Sequence, residues 1–160
     1  MTRSASHAPR PPGGPGTVSY RAATEDELTG ASGPTRVVAL GAQGRLFPHQ
    51  GTLELHQGVM ALTGWRRLTP DGVTNVSLTF TTAYTRWQAA GARGNYPSFG
   101  AFGNLGKPLV LEIADEAPLY LLLGYRWWSG VNQNRRWYPI LAAWLADRGT
   151  EGTGGGRSPT

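Results

Sequence analysis

The chain has 160 residues, 15 Lys and Arg against 10 Asp and Glu, and no cysteine. That length allows one domain with a real core. The missing thiol excludes disulfide frameworks, thiolate nucleophiles and cysteine-based metal sites. The net charge is +5, and residues 35–148 carry all of it, with 11 basic against 6 acidic residues. A basic excess on the folded part favours an anionic partner such as nucleic acid, acidic lipid or an acidic protein.

The 23 glycines and 12 prolines gather in three stretches. Residues 1–34 are polar and rich in Pro, Gly, Ser and Thr, and are predicted to be a disordered tail, because little apolar surface offsets the entropy of ordering. Residues 149–160 read the same way. Residues 88–107 form the third stretch, a long Gly-rich loop inside a single domain spanning 35–148. No apolar run in the first thirty residues could be a signal-peptide core. The longest apolar run, Leu119 to Tyr125, is far too short to cross a bilayer as a helix. A cytoplasmic protein is the expectation.

Arg36 to Leu40 is the first strand candidate, with Arg45 to Phe47 extending or following it. A hairpin comes next. Leu53 and Leu55 alternate with Thr52, Glu54 and His56, and Gln57-Gly58 supplies the turn. The chain returns through Val59 to Thr63, with Met60 and Leu62 on one face. Gly64-Trp65-Arg66-Arg67 ends that strand, and Pro70-Asp71-Gly72 is a turn. Val76, Leu78 and Phe80 alternate with Asn75, Ser77 and Thr79, a half-buried strand that could run on toward Trp87. Leu109, Leu111 and Ile113 form another. Leu119 to Tyr125 is apolar on both faces, as a central strand would be.

One helix closes the chain. Trp137, Ile140, Leu141, Trp144 and Leu145 recur at helical spacing and make one apolar face. Pro139 is tolerated in a first turn, so the helix is predicted to start near Trp137, with Asn132 and Asn134 in its approach.

Six or seven strands followed by one helix resemble the pleckstrin-homology-like barrel. The residues that carry the resemblance are the hairpin Gly51–Leu55 with Val59–Thr63, the pair Pro108–Leu111 with Leu119–Leu122, and the helix Trp137–Ala146. The resemblance implies a mainly β fold: two near-orthogonal antiparallel sheets in a partly open barrel, capped by the C-terminal helix. It implies a tryptophan on that helix, at Trp137 or Trp144. Phosphoinositide-binding members carry basic residues around the first inter-strand loop. Here His56-Gln57-Gly58 has none, so inositol-phosphate binding is not carried over.

Catalytic and metal signatures are absent. His49 and His56 are seven apart across Gly51 and share no ligand spacing. Gly106-Lys107 is followed by Pro108 and a strand, not by the Ser or Thr that opens a helix in a phosphate loop. No catalytic residue, cofactor or metal ligand is assigned. The chain reads as a non-enzymatic binding module, with a protein partner or an anionic surface first, nucleic acid through its Arg and aromatic surface as the alternative, and a small enzyme of unknown class ranked last. Candidate contacts are Arg66 and Arg67; Arg86, Tyr96, Phe99, Phe102 and Lys107 in and beside the Gly-rich loop; and Arg126, Trp128, Arg135 and Arg136 before and in the helix. Of the adjacent Trp127 and Trp128, alternation buries one and exposes the other.

Overall fold

The first strand lies where composition argued for disorder. Val18–Thr24 (β1) alternates Val18, Tyr20 and Ala22, all buried, with Ser19 and Arg21 on the opposite face. The computed structural model describes residues 16–31, 43–56, 58–90, 92–93, 96–97, 103, 105–126 and 128–147. The predicted tail over residues 1–34 is therefore corrected over residues 16–31. A short apolar alternation was hidden among polar neighbours. The strand candidate at residues 36–40 lies outside the described residues.

Thr24 ends β1 and caps the helix α1, Glu25–Gly30. The Glu27 N–H donates to Thr24 Oγ1 at 3.2 Å, and the Thr24 N–H donates to the Glu27 carboxylate at 2.8 Å. This reciprocal pair satisfies two backbone donors at the helix start. A short helix, α2, covers Gln43–Leu46. It replaces the strand expected at Arg45–Phe47, because Leu46 and Phe47 are consecutive and both buried.

The next strands are β2 (His49–His56), β3 (Val59–Leu62) and β4 (Arg66–Leu68). Arg66 and Arg67, expected at the end of the preceding strand, thus begin a separate strand. A 3-10 turn at Pro70–Gly72 leads into β5, Val73–Leu78. The predicted run toward Trp87 does not form. Instead the chain breaks after Leu78 and makes a short helix α3, Arg86–Ala90. A two-residue ribbon follows, β6 (Ala92–Arg93) with β7 (Tyr96–Pro97). Then come β8 (Leu109–Ile113), β9 (Leu119–Leu123) and the helix α4, Asn134–Ala146.

Seven of these strands form one curled half-barrel sheet in the order β4-β3-β2-β1-β9-β8-β5, every pairing antiparallel. Strands consecutive in the chain are neighbours, except that β4 and β5 do not pair and β9 returns to β1. The order is a ring opened at one seam. The two layers expected from sequence are the flanks of this single sheet, joined through β1 and β9. A register shift between Val73 and Asn75 lets Val73 and Val76, three apart, both face inward.

The inner face buries Val18, Tyr20, Leu53, Met60, Leu62, Leu111, Leu119 and Leu121 with Trp137, Leu141 and Trp144 of α4. Those three helix residues fall at i, i+4 and i+7, and α4 packs chiefly on β5 and also on β9 and the 3-10 turn. At about 1.5–3 kcal/mol per large side chain, they contribute on the order of 5–9 kcal/mol of gross burial. The Trp144 indole N–H also donates to the Gly58 carbonyl at 2.9 Å, pinning the β2–β3 turn.

A second cluster covers part of the outer face. It contains Ala23, Leu28, Leu46, Phe47, Ala83, Tyr84, Ala89, Val110, Tyr120 and Leu122. This explains why β9 is apolar on both sides: Leu119, Leu121 and Leu123 face inward, Tyr120 and Leu122 outward. Among the described residues no helix is long and apolar enough to cross a membrane.

The helix α4 starts three residues earlier than predicted, which puts Pro139 in its second turn. The reason is Asn134, which is 0% exposed. Its side-chain oxygen accepts from the Leu123 N–H at 2.8 Å, and its amide donates to the carbonyls of Lys107 and Leu121 at 2.8 and 2.7 Å. The first helical residue is thereby bolted to the end of β9. An ordinary residue at 139 would have donated to the Arg135 carbonyl; both residues are exposed, so that carbonyl is open to solvent and the proline is tolerated.

Candidate anion-binding groove

Strand alternation puts Ser19 and Arg21 on the outer face of β1, next to Ala23. Ala23 is covered by the second cluster, whereas Ser19 and Arg21 lie beyond its edge. In register, Arg21 sits opposite Gln50 of β2 and Ser19 opposite Thr52. These residues, with Gly51, Tyr20 and Tyr125, line an open depression of about 420 Å³. A second depression, of about 330 Å³, is lined by Gly16, Thr17, Val18, Ser19, Gly124, Gln133, Arg136 and Trp137. Ser19 lines both, so the two depressions meet at this residue of β1, and the pair is taken together as the candidate groove. Among the described residues its lining holds Arg21 and Arg136 and no Asp or Glu.

Two glycines shape it. A side chain at Gly51 would run into the Thr63 carbonyl and the Tyr20 ring. The Tyr20 ring occupies that space, and its hydroxyl donates to the Thr63 carbonyl at 2.9 Å. Gly124 has φ 55°, and any Cβ there would press on the Gln133 side chain. Its N–H donates to the Ser19 carbonyl at 2.8 Å.

The loop 124–133 is closed at its base, where the Gln133 N–H donates to the Leu123 carbonyl at 2.7 Å. Both ends of the loop line the groove. Inside it Arg126 and Val131 make a bridge, and the N–H groups of Ser129 and Gly130 donate to the Arg126 carbonyl. This tight turn carries Trp128, which is 60% exposed, with exposed Arg126 at its base. Burial pushes the Tyr125 phenol above its usual range while the nearby Arg21 guanidinium pulls it down, so Tyr125 is a protonated donor beside that cation at neutral pH.

No family model matches this chain, nor does any curated protein or solved structure. The groove must be read from its own chemistry.

The structure sorts the residues singled out in sequence. Arg126, Trp128, Arg135 and Arg136 cluster at the loop and the start of α4, all exposed, and the four arginines Arg21, Arg126, Arg135 and Arg136 have no ion pair among the described residues. Arg66 is already engaged: it bonds Glu116 at 2.8 Å and lies 4.7 Å from the Trp65 ring. Arg67 is exposed in a separate depression of about 530 Å³ that also holds Glu54. Arg86 lies over Phe80 at 5.6 Å. The Lys107 carbonyl is the acceptor for Asn132 and Asn134. Tyr96 pairs through its backbone with Arg93. Phe99 and Phe102, like the neighbouring Trp127, lie outside the described residues.

Sequence reasoning missed Arg21, Gln50, Thr52 and Tyr125. The signal for Arg21 was available in the alternation Val18, Tyr20, Ala22. A second arrangement was also missed. His49 bonds Glu27 at 2.8 Å and stacks on Trp65 with ring centroids 4.0 Å apart. Glu27, His49, Trp65, Arg66 and Glu116 thus form a continuous chain of contacts that ties α1 and the β8–β9 turn to β2 and β4. Among the described residues no group of three or more His, Asp or Glu could hold a metal ion.

Proposed function

We propose that the chain is a non-enzymatic, pleckstrin-homology-like binding domain that takes an anionic partner in the groove over β1. The ring-like strand order, opened at one seam and covered by α4, supports the family resemblance. One observation carries the functional reading: Arg21 and Arg136, which have no ion pair among the described residues, line a concave surface whose described lining holds no Asp or Glu. An unpaired guanidinium gains most from a carboxylate or phosphate that meets its fork of donors. Acid–base chemistry has weaker support, since among the described residues the one carboxylate–imidazole pair, Glu27 with His49, is built into a structural chain of contacts.

The test is retention on immobilised heparin as a generic polyanion. The wild-type chain is expected to bind and to elute at raised salt. Arg21→Glu/Arg136→Glu is expected to elute much earlier while melting at or near the wild-type temperature. Equal retention of the two proteins refutes the groove as the binding surface.

A further inference from the structure

We infer that the groove binds an extended acidic segment of a partner protein, one carboxylate meeting Arg21 and a second meeting Arg136, with the peptide backbone crossing Ser19 between them. This rests on the anion-binding reading above and narrows it to one class of partner.

The charge of the lining favours carboxylates. Each depression holds one arginine and no other cation among its described lining residues. One guanidinium with its fork of donors matches one carboxylate. A phosphate monoester brings a charge of about −1.5 to −2 to that single cation and leaves part of it uncompensated. Arg21 is half-buried and sits in register between Gln50 of β2 and Leu122 of β9, a member of the outer cluster. Its charge has therefore lost part of its water without gaining an ion pair. Its stem starts beside apolar surface, so ordering the side chain costs less on binding. The Tyr125 phenol near it adds a neutral donor for the same carboxylate.

Around the two arginines the lining is neutral and two-sided in its hydrogen bonding. Thr17, Ser19 and Thr52 carry hydroxyls, and Gln50 and Gln133 carry amides. These groups both donate and accept. A peptide presents an N–H and a C=O at nearly every residue and uses both halves. Single-stranded nucleic acid needs open ring faces for its bases. The aromatic residues of the described lining are Tyr20, Trp137 and Tyr125, of which the first two are buried and the third half-buried. The bound segment cannot extend the sheet, because β1 is already paired on both edges, with β2 and β9. It lies across the face of the strand, held by side chains, and the two charged contacts carry the specificity.

The experiment is fluorescence anisotropy of labelled, blocked Gly/Ser peptides titrated with the full chain. Each peptide bears two glutamates, two to five positions apart in the series, a range of roughly 7–17 Å in an extended chain. At least one spacing is expected to bind, and to bind more weakly as salt rises. Arg21→Gln and Arg136→Gln should each weaken that binding roughly 10-fold. Replacing one glutamate of the peptide by glutamine should cost about the same factor, and tests the same contacts on the unaltered protein. The peptide that keeps a single glutamate should then respond to one arginine variant and be indifferent to the other. Neither arginine makes an ion pair among the described residues, so both variants are expected to melt near the wild-type temperature. Heparin retention that depends on the arginines, with no peptide of the series bound, overturns this inference and leaves the anion-binding reading standing. Failure on both removes both. Peptide binding that neither arginine variant weakens overturns it too, as does tighter, arginine-dependent binding of phenyl phosphate, an oligothymidylate or a phosphatidylserine vesicle.

Discussion

Asn134 joins three segments with one short side chain. It satisfies the Leu123 N–H and the carbonyls of Lys107 and Leu121, all at a fully buried position. Each buried polar group left without a partner costs about 1–3 kcal/mol. Asn134→Ala is therefore expected to lower stability by roughly 3 kcal/mol or more, measured by urea unfolding. Glu27 adds a pH dependence. Burial alone would raise its pKa, but the Thr24 N–H and His49 outweigh that and hold the carboxyl below its ordinary value near 4.5. A group with a lowered folded pKa stabilises above its unfolded pKa and loses that contribution as pH falls through the folded one. Wild type should thus lose stability on acidification below pH 4.5, and Glu27→Gln should show a shallower fall in a melting-temperature series. Neither role was readable in the sequence. An asparagine before a helix looks like an ordinary approach residue, and the contacts of Glu27 and His49 span 22 residues.

At the scale of elements, α4 was legible because its apolar period survives burial intact. Trp137, Leu141 and Trp144 are the residues the spacing chose. Trp144→Ala removes a large buried ring and the bond to Gly58, so a loss of about 3–5 kcal/mol is expected from denaturant titration. The start of the same helix behaves oppositely. Arg135 and Arg136 occupy the first turn, where no acidic residue offsets them and the helix dipole disfavours cations. Arg135→Glu/Arg136→Glu should raise stability, by about 0.3–1 kcal/mol per position, while heparin retention falls. A variant that melts higher and binds worse separates binding residues from structural ones. The short elements were illegible for a different reason. β4 spans three residues and α2 four, too few to show any period. Their form is fixed by the partners they meet.

For the whole molecule, five of the seven strands of the sheet, β2, β3, β5, β8 and β9, could be read from apolar patterning, but β1, β4 and the closure of the sheet could not. β1 stands at the centre of the sheet, paired with β2 on one side and β9 on the other. Its seven residues sit in a polar, Pro- and Gly-rich neighbourhood, and composition averaged over that window hid them. Placing the strand also exposed the groove, since Arg21 was discounted along with its surroundings. Deleting residues 1–24 is expected to abolish cooperative unfolding, seen as a loss of the near-ultraviolet dichroism of the six tryptophans. A dispensable tail would leave that signal unchanged.

The pairing of β1 with β9 sets a schedule for synthesis. A ribosome releases Val18–Thr24 early and Leu119–Leu123 only after nearly a hundred further residues, so the nascent chain carries a half-satisfied strand for most of its elongation. Contacts so distant along the chain make closure slow. Until β9 emerges, the free edge of β1 is open to mispairing with any extended segment nearby, and a translational pause within that interval would prolong the exposure.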